Sequence, residues 1–450
     1  MKVEKGNIFE GEIMEIIVAK FGGSSLCNSE QFKKVKDIVL SDARRCYVVP
    51  SAPGKRSSSD YKITDLLYLC HQHAKKSLPF DELLILIEER YTLLCSELKL
   101  SIDISKYLRE LKSEIIKGVS EDFVASRGEY LNGLLLAEYL GYEFIDAAEI
   151  IVFKKSGSLD EVATYDAIKS RLSKVPKAVI PGFYGAYRDG IIKTFSRGGS
   201  DITGAIIARG VGASVYENWT DVSGFLMADP RIVTNPKPIK EVTYKELREL
   251  SYMGANVFHE EAIFPVKKDG IPINIKNTND PQCKGTFILN NKSEVKFGNI
   301  TGIAGKKDFT VLAIEKTLMN KEIGYCRRIL SILESNNVSF EHIPSGIDSI
   351  SLVIDDSELE NKVDKILEEI EEQCKPDSLI THPNMALIAV VGEGIIRTKG
   401  ISAKVFGALS KEDINIRMIN QGSSELSIII GVENDDFEDA IRAVYKVFEK

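Results

Sequence analysis

The run IMEIIVAK (Ile13 to Lys20) is almost entirely apolar and stops at Gly22-Gly23. A strand of that composition has no polar face to turn to water. It fits only a sheet covered on both sides, which in practice is a parallel sheet between helices. A second such run, CYVVPSA, ends at Pro53-Gly54, and a stretch from Leu66 to about Glu114 has few breakers and reads as helix. EFIDAAEI, KAVIPGFYG and ASVYENWTDV continue the alternation. This pattern predicts an α/β fold with a mainly parallel open sheet, its active site beyond the carboxyl ends of the strands.

From Cys283 to Gly298 the sequence turns polar and turn-rich, which sets a domain boundary near 297 and assigns 1–296 to a first domain and 297–450 to a second. The second contains an internal repeat. FTVLAIEK, GYCRRILSILESNN and VSFEHIPSGIDSISLVI are echoed by MALIAVVGEG, SAKVFGALSKEDI and NIRMINQGSSELSIIIGV. Each set reads strand, helix, strand, as in a small ferredoxin-like βαββαβ module, over about 310–380 and 385–450. Asn336-Asn337 and Asp413 punctuate the two helices.

Composition narrows the functional classes. A net charge of -8 and a pI near 5.5 argue against a nucleic-acid surface. No apolar run is long enough to span a membrane, and MKVEKGNIFEGEIME lacks the apolar stretch of a secretory signal, so a cytoplasmic location is expected. The seven cysteines show no paired spacing and read as reduced core thiols; the HEEAI sequence from His259 lacks the second histidine of a helical zinc site.

Four clusters carry chemistry. Lys20 and FGGSS bring an ammonium, two close-approach glycines (Gly22, Gly23) and the Ser24 and Ser25 hydroxyls to a strand end, which suits phosphate. Alone, this is more often a surface lysine at a tight turn. TFSRGGSDITGAIIARG puts Arg197, Ser200 and Asp201 ahead of an apolar helix, either as an anion site or as a capped helix start. SRGEYLNG places Glu129 in the first turn of a helix, as a partner for an amino group or as a dipole complement. ENWTDVSGFLMADPR supplies Thr220, Asp221 and an Asp-Pro-Arg turn, for a nucleotide or simply for a turn.

Together and in this order, VAKFGGSS, VVPSAPGK, SRGEYLNG, FSRGGSDITGA, WTDVSGFLMADPR and GANVFHEEAIFPV resemble the aspartate kinases of the amino-acid kinase superfamily. The carboxyl-terminal repeat resembles tandem ACT domains, side by side or interleaved, with VVGEGIIRTKGISAKVFGAL and NIRMINQGSSELSI as its best marks. The resemblance implies transfer of the ATP γ-phosphoryl group to the β-carboxylate of L-aspartate, with Mg2+ on the ATP phosphates and feedback control by an amino acid. It makes Lys20 and Asp201 catalytic and assigns the aspartate to Ser51, Thr64, Glu129, Arg197, Gly199 and Ser200. ATP falls to Lys20, Gly22, Gly23, Ser24, Thr220, Asp221, Leu226, Arg231 and Asn256, and the effector to Met319, Gly324, Tyr325, Ser339, Phe340 and Glu341.

Lysine is the favoured effector, with threonine second, because Glu341 offers a carboxylate to a cation and the chain resembles the monofunctional, lysine-sensitive aspartate kinases. Pairing of ACT sheets implies a homodimer. Two departures stand out. Asn256 replaces the lysine of the usual GAKVLHP, and Ser223 replaces the proline of TDVPG. The competing readings are a kinase of the same superfamily with another acceptor and an amino-acid sensor that has lost catalysis.

Overall fold

The computed structural model describes residues 7–9, 12–196, 198–254, 263–295, 298–396 and 398–449. They form two compact units. The first holds the described residues up to Phe225 together with Pro238–Tyr244 and 263–292. The second holds Leu226–Lys237, 245–254 and the described residues from Ser293 onward, so two earlier segments join the second unit and the turn-rich stretch itself divides after Lys292.

In the first unit an eight-stranded sheet runs in the order Glu241–Thr243, Thr286–Leu289, Ile273–Asn277, Val215–Thr220, Ile17–Phe21, Arg45–Pro50, Ala178–Val179, Glu143–Phe144. Every neighbouring pair is parallel except Ile273–Asn277 with Thr286–Leu289. Ile17–Phe21 and Arg45–Pro50 are buried at every position, as continuous apolar runs require. The first of these begins later than its sequence suggests. Glu12–Met14 instead pairs antiparallel with Asn7–Phe9, and the exposed Glu15 divides the apolar run. A smaller sheet joins Val152–Phe153, Tyr184–Tyr187 and Ile192–Thr194.

The expected long helical stretch is three helices, Ile63–Lys75, Asp81–Leu98 and Ile104–Ile116. Ser77 and Lys99 adopt positive φ at the two breaks, the first just ahead of Pro79. The helix Glu121–Leu140 starts at Ser120, whose side chain caps the Phe123 N–H, and ends at Gly141 with φ 70°. These helices bury Ile63, Leu67, Tyr91 and Leu135, and the earlier helix Ser29–Leu40 buries Phe32, in one core with Phe21 and Trp219 of the sheet.

The second unit carries one five-stranded sheet, in the order Ser349–Asp355, Gly302–Glu315, Ser378–Val391, Ser427–Glu433, Met418–Asn420, antiparallel throughout. Two 14-residue strands, Gly302–Glu315 and Ser378–Val391, run through both repeats. A register shift between Lys306 and Phe309 divides the first of them. Its far half packs with Tyr325, Ile329 and Ile366 in one core. Its near half, with Ile303, packs with Ile388, Val405, Ile428 and Ile441 in the other. The modules are therefore interleaved: the later repeat takes one strand from a segment that precedes the earlier one. Asn337 and Asp413 sit at positive φ just past the helices Tyr325–Ser335 and Ile401–Lys411.

Five of the seven cysteines are buried, but Cys283 is half-buried and Cys326 exposed, so those two are not core thiols. No helix among the described residues is long and apolar enough to cross a membrane.

The interleaving has a direct test. A fragment of residues 384–449 lacks the Gly302–Lys306 strand and is expected to remain unfolded by circular dichroism, whereas 298–449 unfolds cooperatively.

Candidate active site

Parallel strands share a direction, so the loops after Ile17–Phe21, Arg45–Pro50, Ala178–Val179 and Val215–Thr220 leave the sheet at one edge. Lys20 is next to last in its strand, and its register partner on the neighbouring strand is Asn218. Partners in register project from the same face. Both side chains reach Asp201, in the first turn of the helix Gly199–Gly210. Lys20 Nζ lies 2.5 Å from Asp201 Oδ1, and Asn218 Nδ2 donates to the same oxygen at 2.7 Å. The Tyr216 hydroxyl donates to the Asp201 backbone oxygen at 3.0 Å. Only 9% and 12% of the two charged side chains are exposed, and at that burial an ion pair needs such added hydrogen bonds to hold it.

The glycine turn closes around this pair. A Cβ added at Gly22 would lie 3.7 Å from Lys20 Nζ, and the Gly22 N–H donates to Trp219 O at 3.0 Å. The Gly54 N–H donates to Gly23 O at 2.8 Å; a Cβ on Gly54 would come within 2.5 Å of the Gly23 carbonyl carbon, so only glycine lets the two loops touch. Ser25 and Thr278 share a 2.7 Å hydroxyl hydrogen bond on the other side. The buried Arg90 guanidinium donates to the carbonyls of Gly54 and Cys27 and to Asp60, fixing both loops. The Arg56 hydrogen bond holds the Asp60 carboxyl well below the usual range. The resulting side-chain-free turn beside an ammonium is suited to close approach by phosphate oxygens.

Glu129 proves to lie in the third turn of its helix, not the first, because the helix begins eight residues earlier at Glu121; Glu121 and Asp122 complement the dipole instead. A Cβ on Gly128 would lie 2.9 Å from Ala52 Cβ, so the glycine brings this face of the helix against the Ser51-Ala52 loop. The Tyr91 hydroxyl donates to Gly128 O at 2.8 Å from the other side. Burial pushes the Glu129 carboxyl up to about 8, against lowering contributions from the Ala52 N–H and from Lys20. Its Oε2 has no hydrogen-bond partner among the described residues. A buried acid with an open oxygen gains a partner for its charged form when a cationic group arrives and the proton leaves.

Gly199 and Ser200 are buried at the same helix start as Asp201. Ser51 and Thr64 are half-buried, the first held by its N–H to Phe21 O at 3.0 Å and the second in the first turn of Ile63–Lys75. Gly22, Gly23 and Ser24 form the turn beside Lys20, and Thr220 and Asp221 end the neighbouring strand, where the Thr220 hydroxyl donates to Asp221 at 3.1 Å. Arg197 and Asn256 lie outside the described residues. Leu226 and Arg231 belong to the second unit, and Arg231 is folded back onto Asp229 at 2.5 Å.

The effector candidates all lie in the first of the interleaved modules. Met319 and Tyr325 are buried, Gly324 caps the Tyr325–Ser335 helix at φ 83°, and Ser339 and Phe340 are exposed. Glu341 accepts a hydrogen bond from the Tyr252 hydroxyl, which burial and that contact push up to about 12. Sequence reasoning missed Asn218, Arg90 and Tyr91. Asn218 carried a signal, since it and Glu217 are consecutive polar residues inside a strand covered on both faces; the two others did not.

Among the described residues no three or more His, Cys, Asp or Glu side chains gather as metal ligands. Asp201 is a single hard oxygen donor, the arrangement magnesium accepts when phosphates and water complete its shell.

A model of the amino acid kinase family matches residues 15–277, and a model of an ACT domain matches 388–448. Aspartokinase 3 of Bacillus subtilis (strain 168) is 39% identical over 446 residues, covering 96% of this chain and 98% of its own. The crystal structure of Clostridium acetobutylicum aspartate kinase superposes with a TM-score of 0.92 at 62% identity over 97% of this chain and 99% of that one. Escherichia coli aspartokinase III, at 26% identity over 97% of this chain and all of its own, superposes at 0.72 in its complex with aspartate and ADP and at 0.75 in its complex with lysine and aspartate.

The raised Glu129 acid predicts a stability signature. The folded state keeps its proton up to about pH 8, while the unfolded chain gives it up near 4.5, so stability falls as pH rises between those values and levels off above. Glu129→Gln should stabilise the ligand-free protein above about pH 8, by on the order of 3 kcal/mol, with little effect near pH 4, as read from urea midpoints.

Proposed function

The chain belongs to the amino acid kinase family and, within it, to the aspartokinases, and from its site we propose how it works as an aspartate kinase. The reaction transfers the γ-phosphoryl group of ATP to the β-carboxylate of L-aspartate, giving 4-phospho-L-aspartate, and lysine feeds back on it. The observation that carries this reading is the closed Lys20–Asp201–Asn218 cluster beside the Gly22-Gly23 turn, where a side chain on Gly22 would stand against the Lys20 ammonium.

Two anions must meet, and Lys20 supplies positive charge where the transferring group passes between them. Gly22 and Gly23 leave the phosphates room to approach Lys20 and Ser24 offers its hydroxyl, with Thr220 and Asp221 at the nucleotide side. Asp201 would help hold a magnesium ion on the ATP phosphates, which would supply further charge neutralisation. The β-carboxylate of aspartate is ionised at neutral pH and attacks directly, so no general base is needed. Ser51, Thr64, Gly199 and Ser200 line the acceptor side, and Glu129 meets the substrate ammonium. Arg197 is assigned the substrate carboxylate and Asn256 an ATP contact on the sequence pattern alone.

Escherichia coli aspartokinase III has been solved with lysine, and the lysine control of this chain is assigned to the ACT module of Met319, Gly324, Tyr325, Ser339, Phe340 and Glu341. Edge strands Ser349–Asp355 and Met418–Asn420 leave backbone groups for a second copy, which supports a homodimer. We place the enzyme in the cytoplasm. The inactive-sensor reading is not favoured, because the Lys20–Asp201 pair and its supports are intact.

With ATP, Mg2+, aspartate and hydroxylamine, aspartyl hydroxamate should form and should fall at least about a hundredfold in Lys20→Ala. Millimolar lysine should suppress it, and Glu341→Gln should weaken that inhibition about tenfold with unchanged basal rate. No hydroxamate from the wild-type protein would refute the assignment. Glu129 must also shed its proton to pair with the substrate ammonium, so the KM for aspartate should fall about tenfold per pH unit toward a plateau above about pH 8, and calorimetry at neutral pH should record release of about one proton.

A further inference from the structure

Asn132 lies three residues after Glu129 in the helix Glu121–Leu140, so the two side chains are neighbours on one face. Its residue has 0% exposure. Its Nδ2 donates to the Ser51 carbonyl at 2.6 Å, and since a carbonyl can only accept, that bond fixes which way the amide is turned. The Oδ1 is then committed as an acceptor, buried, and without a partner. Glu129 Oε2 is in the same condition one turn away.

Two buried acceptors left open on one helix face are costly in a folded protein unless something donates to both. Two donors close by are engaged elsewhere. The Tyr91 hydroxyl is used by Gly128 O, and the Lys20 ammonium is 2.5 Å from Asp201. A group that suits both open acceptors carries several N–H donors and a positive charge, which describes a primary ammonium. A carboxylate or phosphate finds only acceptors there once Glu129 has given up its proton.

We infer that Asn132 is a specificity-determining residue: its Oδ1 accepts a hydrogen bond from the α-ammonium of aspartate beside the Glu129 carboxylate. The inference rests on the aspartate kinase reading and adds to it the means by which the acceptor site tells an amino acid from a plain dicarboxylic acid. Glu129 gives the charge. Asn132 gives direction, because its amide is anchored to the Ser51 loop that follows the Arg45–Pro50 strand.

The test compares the wild type with Asn132→Leu, which keeps the bulk, and Asn132→Ser, which cannot overfill the site. Three constants are measured: KM for aspartate, KM for ATP, and the inhibition constant of succinate, which is aspartate without its amino group. The inference predicts that both variants raise KM for aspartate about tenfold to a hundredfold while the ATP and succinate constants stay within about twofold. An equal weakening of succinate and aspartate would mean that Asn132 merely shapes the pocket, and an unchanged KM for aspartate would mean that its Oδ1 meets nothing; either overturns the inference. Absence of aspartyl hydroxamate from the wild type would instead remove the kinase reading itself.

Discussion

The Lys20–Asp201 ion pair is the constraint on which the site depends. Two opposite charges taken out of water at a strand end are tolerated only where geometry is good and the remaining hydrogen-bonding capacity is filled. Asn218 fills it from the adjacent strand, in register with Lys20, and Tyr216 steadies the Asp201 backbone from the same strand. The parallel sheet is therefore part of the chemistry. It sets Lys20 and Asn218 side by side and directs both at one helix start.

The second constraint is proximity of loops. Gly23 and Gly54 touch because neither has a side chain, and Gly128 lets the helix bearing Glu129 lie against Ala52. Arg90 and Tyr91, adjacent on the helix Asp81–Leu98, hold the two sides: the first clamps Gly54 and Cys27 carbonyls, the second the Gly128 carbonyl. A residue pair remote in sequence from the glycine turn thus fixes where phosphate and amino-group donors and acceptors stand. Interleaving plays the comparable role in the second unit, since each core borrows from a strand common to both.

Much of this was legible in the sequence. Continuous apolar strands, glycine turns and the repeat gave the α/β sheet and the ACT modules, because those depend on local composition and periodicity. Lys20 and Asp201 were legible as neighbours of glycine. What escaped depends on helix starts and on contacts distant along the chain. Ser120 caps the Glu129 helix earlier than SRGEYLNG suggested, which moved Glu129 from a dipole position to a buried one and decided its meaning. The single strand drawn from Ile13 divides at the exposed Glu15, a break that one charged residue in an apolar run only hints at. Sharing of the Gly302–Glu315 strand between modules leaves no local mark, because its two halves are each mostly buried and nothing in their composition assigns them to different cores.

The central claim is that Lys20 and Asp201 act as one unit on the transferring phosphoryl group. Single-turnover rates of phosphoryl transfer at saturating ATP and aspartate, measured for Lys20→Met, Asp201→Asn and the double variant, test it most directly. The account predicts strong non-additivity, with the double variant no more than about threefold slower than the slower single one. Additive losses, or a wild-type rate in Lys20→Met, would contradict it.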